Sequence, residues 1–139
     1  MSASDGILLV AATPLGNPAD ASSRLRDALA SADVVAAEDT RKARRLAADL
    51  GVRISGKVIS HYDAVESERA GVLAGHVADG RTVLVVTDAG MPSVSDPGLA
   101  AVRACIAADL PVTCLPGPSA VTTALVLSGL PSDRFVFEG

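Results

Sequence analysis

The strongest constraint on this sequence is its alternation of short apolar runs with stretches of helical periodicity. The runs fall at about residues 7–12, 34–37, 57–60, 82–87 and 111–115. A short run that is apolar throughout suits a strand buried on both faces. Thr82-Val-Leu-Val-Val-Thr87 is the clearest, being β-branched and nearly all apolar, and is predicted at the sheet centre. Between the runs the period changes. A first helix is predicted to begin near Asp20–Ser23, with Leu25, Ala28, Leu29 and Ala32 forming one buried stripe. A second covers about Lys42–Leu50 and stops at Gly51. A third spans Glu66–Asp79, with Val72, Leu73, His76 and Val77 facing inward and Gly80 ending it. Two more follow at Leu99–Ala108 and Ala120–Ser128, the last closed by Gly129. Arg134–Glu138 reads as the start of a further strand. The pattern predicts an α/β fold: an open, mainly parallel five-stranded sheet flanked by helices and joined by right-handed crossovers. No repeat or internal linker divides residues 1–139, so one α/β domain is expected.

Composition narrows the function. Sixteen acidic residues against 12 basic ones give a formal charge of −4, which argues against a freestanding nucleic-acid clamp. Tyr62, Phe135 and Phe137 are the only aromatics, too few for a base-stacking platform. Cys105 and Cys114 make neither a disulfide framework nor a four-ligand zinc site, and no metal site is expected. The opening Met-Ser-Ala-Ser-Asp-Gly lacks a signal-peptide pattern, and the apolar stretch around Val121–Leu130 is too short to span a membrane. A cytoplasmic protein with no membrane partner is expected. Phe135 and Phe137, in an apolar strand with nothing after it, predict self-association as a homodimer.

Several short motifs fail on context. Gly51–Lys57 matches the start of a phosphate-binding loop, but Val58 stands where Ser or Thr is needed, and the segment follows a helix and leads into a strand. It is read as a turn. No G-x-G-x-x-G follows the first strand, and Ser119 sits in Pro-Gly-Pro-Ser-Ala rather than a nucleophile elbow. His61 and His76 lack metal-ligand spacing and are read as ordinary polar positions at a strand end and on a helix face.

Ligands of parallel α/β sheets bind beyond the carboxyl ends of the strands. There this chain places Thr13-Pro-Leu-Gly-Asn17, Glu38-Asp-Thr-Arg41, His61-Tyr-Asp63, Asp88–Gly98 and Pro116-Gly-Pro-Ser-Ala120. Tight-turn geometry explains any one of these loops as well as a ligand does. Five on one edge point to a site. Rigid loops of small residues expose backbone groups at close range. No lysine stands in the first, fourth or fifth loop to grip a polyphosphate, while Asp88 and Asp96 make the rim acidic. A cationic or hydroxyl-rich ligand with an amino-acid or nucleoside part suits that rim.

Longer stretches carry a resemblance. Leu9-Val-Ala-Ala-Thr-Pro-Leu-Gly-Asn17, Ala37-Glu-Asp-Thr-Arg41, Val86-Thr-Asp-Ala-Gly-Met-Pro-Ser-Val-Ser-Asp-Pro-Gly98, Leu115-Pro-Gly-Pro-Ser-Ala120 and Ser128–Gly139 occur in this order along almost the whole chain. Together they resemble the N-terminal domain of the tetrapyrrole methylase superfamily. Within it they are most similar to the branch that methylates the 2′-hydroxyl of a decoding-region cytidine in 16S rRNA. The resemblance implies S-adenosylmethionine as cofactor and 16S rRNA in the small ribosomal subunit as partner. It also implies a second α/β domain, absent from these residues, so that 1–139 form the N-terminal half of a two-domain methyltransferase whose fragment is expected to be inactive alone. The segment His61-Tyr-Asp-Ala-Val-Glu66 departs from the family, with Ala64 and Val65 in place of polar residues.

Carried over residue by residue, the cofactor contacts fall on Pro14, Leu15, Asp88, Gly90, Met91, Pro92, Ser119 and Ala120. A ribose hydroxyl is a weak nucleophile, so a carboxylate that accepts its proton or orients it assists transfer. Glu38 and Asp39 are the candidates for that role, and Arg41 for gripping a phosphate. Capping of the second helix by Asp39 or Thr40 is the competing reading, and for Thr40 it is preferred to a catalytic one. Three alternatives stay open: a methyltransferase of the same fold acting on a tetrapyrrole or a modified histidine, a non-catalytic fragment that binds a partner through Phe135 and Phe137, and, least favoured because the Lys57 motif is misplaced, a phosphate-binding α/β domain.

Overall fold

The computed structural model describes residues 5–62, 66–94 and 97–139. The expectations placed on Met1–Ser4, Asp63–Val65 and Asp96 lie outside those residues.

Five strands form one all-parallel sheet: β1 (Ile7–Ala11), β2 (Val34–Ala37), β3 (Lys57–Ser60), β4 (Thr82–Val86) and β5 (Val112–Leu115), in the order β3-β2-β4-β1-β5. Five helices connect or follow them: α1 (Ser23–Ser31), α2 (Thr40–Asp49), α3 (Glu66–Ala78), α4 (Leu99–Ala107) and α5 (Ala120–Ser128). β4 lies in the middle, and Val83–Val86 are at most 3% exposed, as their unbroken apolar run predicts. Side chains alternate across it. Leu84 and Val86 join Leu25, Leu29, Val35 and Ala47 in a core beneath α1 and α2. Val83 and Val85 join Leu8, Leu73, Val77 and Cys105 in a second core beneath α3 and α4. Each fully buried Leu or Val contributes about 1.5–3 kcal/mol, which is why the central strand carries almost nothing else. Burial pushes the Cys105 thiol pKa up, so this cysteine serves packing rather than chemistry.

Four expectations need correction. α2 starts at Thr40, because Asp39 and not Thr40 is the cap: its Oδ1 accepts the N–H groups of Arg41 and Lys42. The inward stripe of α3 is Ala70, Leu73 and Val77. Val72 stays 48% exposed, since one residue of helix turns it about 100° from Leu73. His76 is half-buried, with Nδ1 2.7 Å from Arg81 Nη1 at the helix end. Arg134–Glu138 is not a strand. No described strand pairs with it, and an apolar run without a ladder partner does not make a strand. Phe135 and Phe137 instead face α5 across an apolar groove of about 480 Å³, and α5 buries none of its residues. Gly51–Lys57 is the turn into β3 that its context predicts.

Candidate functional site

The loops after β1 and β4 are clasped by backbone. Thr13 N–H donates to Gly90 C=O and Gly90 N–H to Thr13 C=O, each at 3.0 Å, as an isolated antiparallel bridge. The buried Thr13 hydroxyl adds a bond to the Thr87 carbonyl at 3.3 Å. Gly90 has φ +80°, a conformation that side chains resist, and a methyl group there would meet Leu15 Cδ2 at 3.5 Å. The loop turns again at Gly98, φ +139°, where an added Cβ would sit 2.9 Å from Ser93 Oγ and 3.3 Å from Pro92 Cβ. This packing buries Pro92.

The clasp separates two concavities. On one side Gly90, Met91, Ser119 and Ala120 line a small depression of about 40 Å³ with Ala89 and Val94. Leu15, 39% exposed, abuts Gly90, and Met91 Sδ lies 3.7 Å from Cys114 Sγ beneath. On the other side Pro14, Gly16, Lys42, Arg45 and Asp88 border a cleft of about 240 Å³. The residues expected to touch a cofactor therefore lie along one edge but not in one hollow. Gly90, Met91, Ser119 and Ala120 are together, with Leu15 beside them. Pro14 and Asp88 open to the cleft across the bridge.

Asp88 is held from two directions. Its backbone N–H donates to Glu38 Oε1 at 3.1 Å, and its carboxylate accepts from Lys42 Nζ at 3.1 Å. The loop after β2 thus fixes the loop after β4. Of the Glu-Asp-Thr-Arg group, Glu38 makes this bond, Asp39 caps α2, and Arg41 extends 91% exposed with Nε 3.8 Å from Asp39. Partial burial acts to raise the Asp39 pKa. The two N–H bonds and the charges of Arg41 and Lys42 outweigh it, holding the carboxyl below its usual 3.8.

Lys42 is the residue that sequence reading missed. It enters the site from the first turn of α2, and nothing in the local pattern marks which loop it meets. The absence of lysine from the first, fourth and fifth loops was correct as composition, yet a lysine reaches the fourth loop from elsewhere. Among the described residues no cluster of three His, Cys, Asp or Glu is placed to hold a metal ion, and no helix is long and apolar enough to cross a membrane.

The residues fit S-adenosylmethionine in kind. Gly90 leaves room beside Leu15, and the Ser119 hydroxyl makes no capping bond to α5. The Asp88 carboxylate is one third exposed, able to accept from a hydroxyl or an ammonium group.

Comparison with known proteins bears on the family and the fold. A family model of Tetrapyrrole (Corrin/Porphyrin) Methylases matches residues 8–137. A Mycobacterium tuberculosis (strain ATCC 25618 / H37Rv) protein called Ribosomal RNA small subunit methyltransferase I is 62% identical over 136 residues, covering 98% of this chain and 48% of its own length. Proteins of the same name are 46% identical in Vibrio cholerae and 41% identical in Escherichia coli O157:H7, where the chain spans 46% and 47% of their lengths. The chain thus spans about half the length of these curated relatives. A crystal structure of uroporphyrin-III-C-methyltransferase from Thermus thermophilus superposes with a TM-score of 0.66 at 24% identity, covering 91% of this chain and 54% of that one.

Proposed function

The chain belongs to the tetrapyrrole (corrin/porphyrin) methylase family, and from that membership we propose that it forms the N-terminal half of a two-domain, S-adenosylmethionine-dependent methyltransferase of small-subunit ribosomal RNA. The observation that carries this reading is the 62% identity, spread over nearly the whole chain, to a relative named for that activity. The finer assignment is transfer to the 2′-oxygen of a decoding-region cytidine of 16S rRNA, in the cytoplasm, by a homodimer. The motif resemblance, above all the Glu38–Arg41 group and the Asp88–Gly98 loop, supports the ribose assignment, and the exposed apolar Phe135–Phe137 segment supports the homodimer.

S-adenosylmethionine, when bound, supplies a methyl group already activated on a sulfonium. The protein's part is then mostly orientation and proximity. Leu15, Gly90, Met91, Ser119 and Ala120 form the surface against which the cofactor is held, with Pro14 and Pro92 stiffening the loops. Asp88 accepts hydrogen bonds and attracts positive charge. Glu38 acts through Asp88: a carboxylate taking its backbone N–H fixes where the Asp88 side chain starts. Asp39 acts through α2 by setting its first turn. Arg41, almost fully exposed, is free to meet a phosphate of the substrate.

A chimaera tests this reading: residues 8–137 replace the matching half of the Mycobacterium tuberculosis relative, in a host lacking that relative. Mass spectrometry of digested small-subunit RNA is expected to show a methylated ribose on a single cytidine. A folded chimaera that binds cofactor yet leaves the RNA unmodified overturns it, and methylation of a base instead of a ribose overturns the finer assignment.

A further inference from the structure

Acidic overall, the chain is not uniformly so. Four of its 12 cations stand within α2, as Arg41, Lys42, Arg44 and Arg45, against one carboxylate, Asp49. Lys42 is matched to Asp88 and Arg41 approaches Asp39. Arg44 and Arg45 are exposed and pair with no carboxylate among the described residues.

Their positions make a band rather than scattered charge. Arg45 lines the 240 Å³ cleft with Lys42, where Asp49 and Asp88 balance them, and the band leaves that cleft on the side away from the Gly90–Ala120 depression. Arg44 lines a neighbouring groove with Arg53, over Ala47 and Val52. Arg26 reaches the end of the same helix, its Nε 3.0 Å from the Leu50 carbonyl. The helix N-terminus is closed to an anion, because Asp39 already takes the N–H groups of Arg41 and Lys42. An anion meeting α2 therefore meets its side face.

We propose that the α2 face bearing Arg44 and Arg45, with Arg53 in the segment just beyond the helix, is the docking surface for the phosphodiester backbone of the RNA substrate. The inference rests on the rRNA reading above and adds to it the face of the fold that the RNA crosses. A repeating monoanion needs cations spaced along a track, and guanidinium groups bind phosphate through paired N–H donors. The band begins at the cleft that Asp88 borders, so RNA lying on it passes the cofactor loops. Counterion release makes such binding steeply salt-dependent.

The test measures binding of the 139-residue chain to a fluorescent single-stranded RNA and to small-subunit rRNA by anisotropy, over a series of salt concentrations. Arg44→Glu/Arg45→Glu is expected to weaken both about tenfold or more and to lower the log–log salt slope by about 1–2. Arg69→Glu/Arg103→Glu, on the helices of the opposite face, is expected to change affinity less than twofold. Arg44→Gln/Arg45→Gln, with its melting curve, guards against a folding defect and is expected to show an intermediate loss. Equal losses from the two faces, no loss from α2, or no RNA binding at low salt overturns the proposal. Placed in the chimaera, the α2 pair is expected to raise KM for RNA and leave cofactor affinity unchanged. Methylation with an unaltered KM refutes the docking face while leaving the rRNA reading standing, whereas an unmethylated wild-type chimaera refutes the rRNA reading itself.

Discussion

Lys42 Nζ sits 3.1 Å from Asp88 Oδ2, joining the first turn of α2 to the loop after β4 across 46 positions of sequence. Their side chains are 59% and 33% exposed, so the pair contributes at most about 1 kcal/mol to folding. Its effect is local. It holds a carboxylate in place at the mouth of the cleft, between a cation and the open edge of the sheet.

Asp88→Asn keeps the shape of that carboxylate and removes its charge. In the chimaera, cofactor affinity is expected to fall tenfold to a hundredfold, the loss of a charge-assisted bond of roughly 1.5–3 kcal/mol. Calorimetric titration reads it. Lowered melting with unchanged affinity would instead limit Asp88 to a structural part in its turn.

For the isolated chain, calorimetry is expected to show S-adenosylmethionine binding weaker than micromolar, about −8 kcal/mol, and no methyl transfer to ribosomal subunits. The depression is small, about 40 Å³, and would hold a cofactor of that size only in part. Micromolar binding would show that this chain suffices alone.

Asp39 links folding to acid. Its folded pKa lies below 3.8, so its contribution is fully present above that pH and is lost as pH falls through the folded value. Asp39→Asn keeps an oxygen for the cap and is expected to flatten this part of the acid-melting profile. Asp39→Ala loses the cap as well and is expected to melt lower than Asp39→Asn at neutral pH.

Gly98→Ala is expected to destabilise by about 1–3 kcal/mol, because φ +139° disfavours a side chain and the new methyl would crowd Ser93 and Pro92. Urea denaturation measures this. A change within about 0.5 kcal/mol would mean that the loop relaxes freely.

Beside the apolar groove between α5 and the Phe135–Phe137 segment, Val126, Leu127 and Val136 are more than 70% exposed. Association of the isolated chain is expected in light scattering, and Phe135→Ser/Phe137→Ser is expected to reduce it. A monomer at high concentration, unchanged by the substitutions, counts against it.

The sheet was legible because the signal for a buried parallel strand is local: Val83–Val86 needs no partner to be recognised. Helix ends at Gly51, Gly80 and Gly129 were legible for the same reason, each taking a positive φ. Three things were not. The cap fell to Asp39 rather than Thr40 because both have capping oxygens and only backbone geometry chooses. The Arg134–Glu138 stretch has a strand's apolar run, but a strand also needs a neighbour. Among the site residues, the loops announced themselves through glycine and proline. The Glu38, Lys42 and Asp88 contacts join distant positions, and no window along the chain contains them.

The strand order has a consequence in time. Both neighbours of β1 are made after it: β4 and then β5. Thr13 and Thr87, which meet at the clasp, are separated by 74 positions. At roughly 5–20 residues per second, synthesis leaves the first strand waiting about 4–15 s for its partner. Meanwhile β2 and β3 are free to pair through α2, so the sheet assembles from one side. β1 is then added beside the central β4 late, once that strand has been made, and the site edge takes shape in the same step.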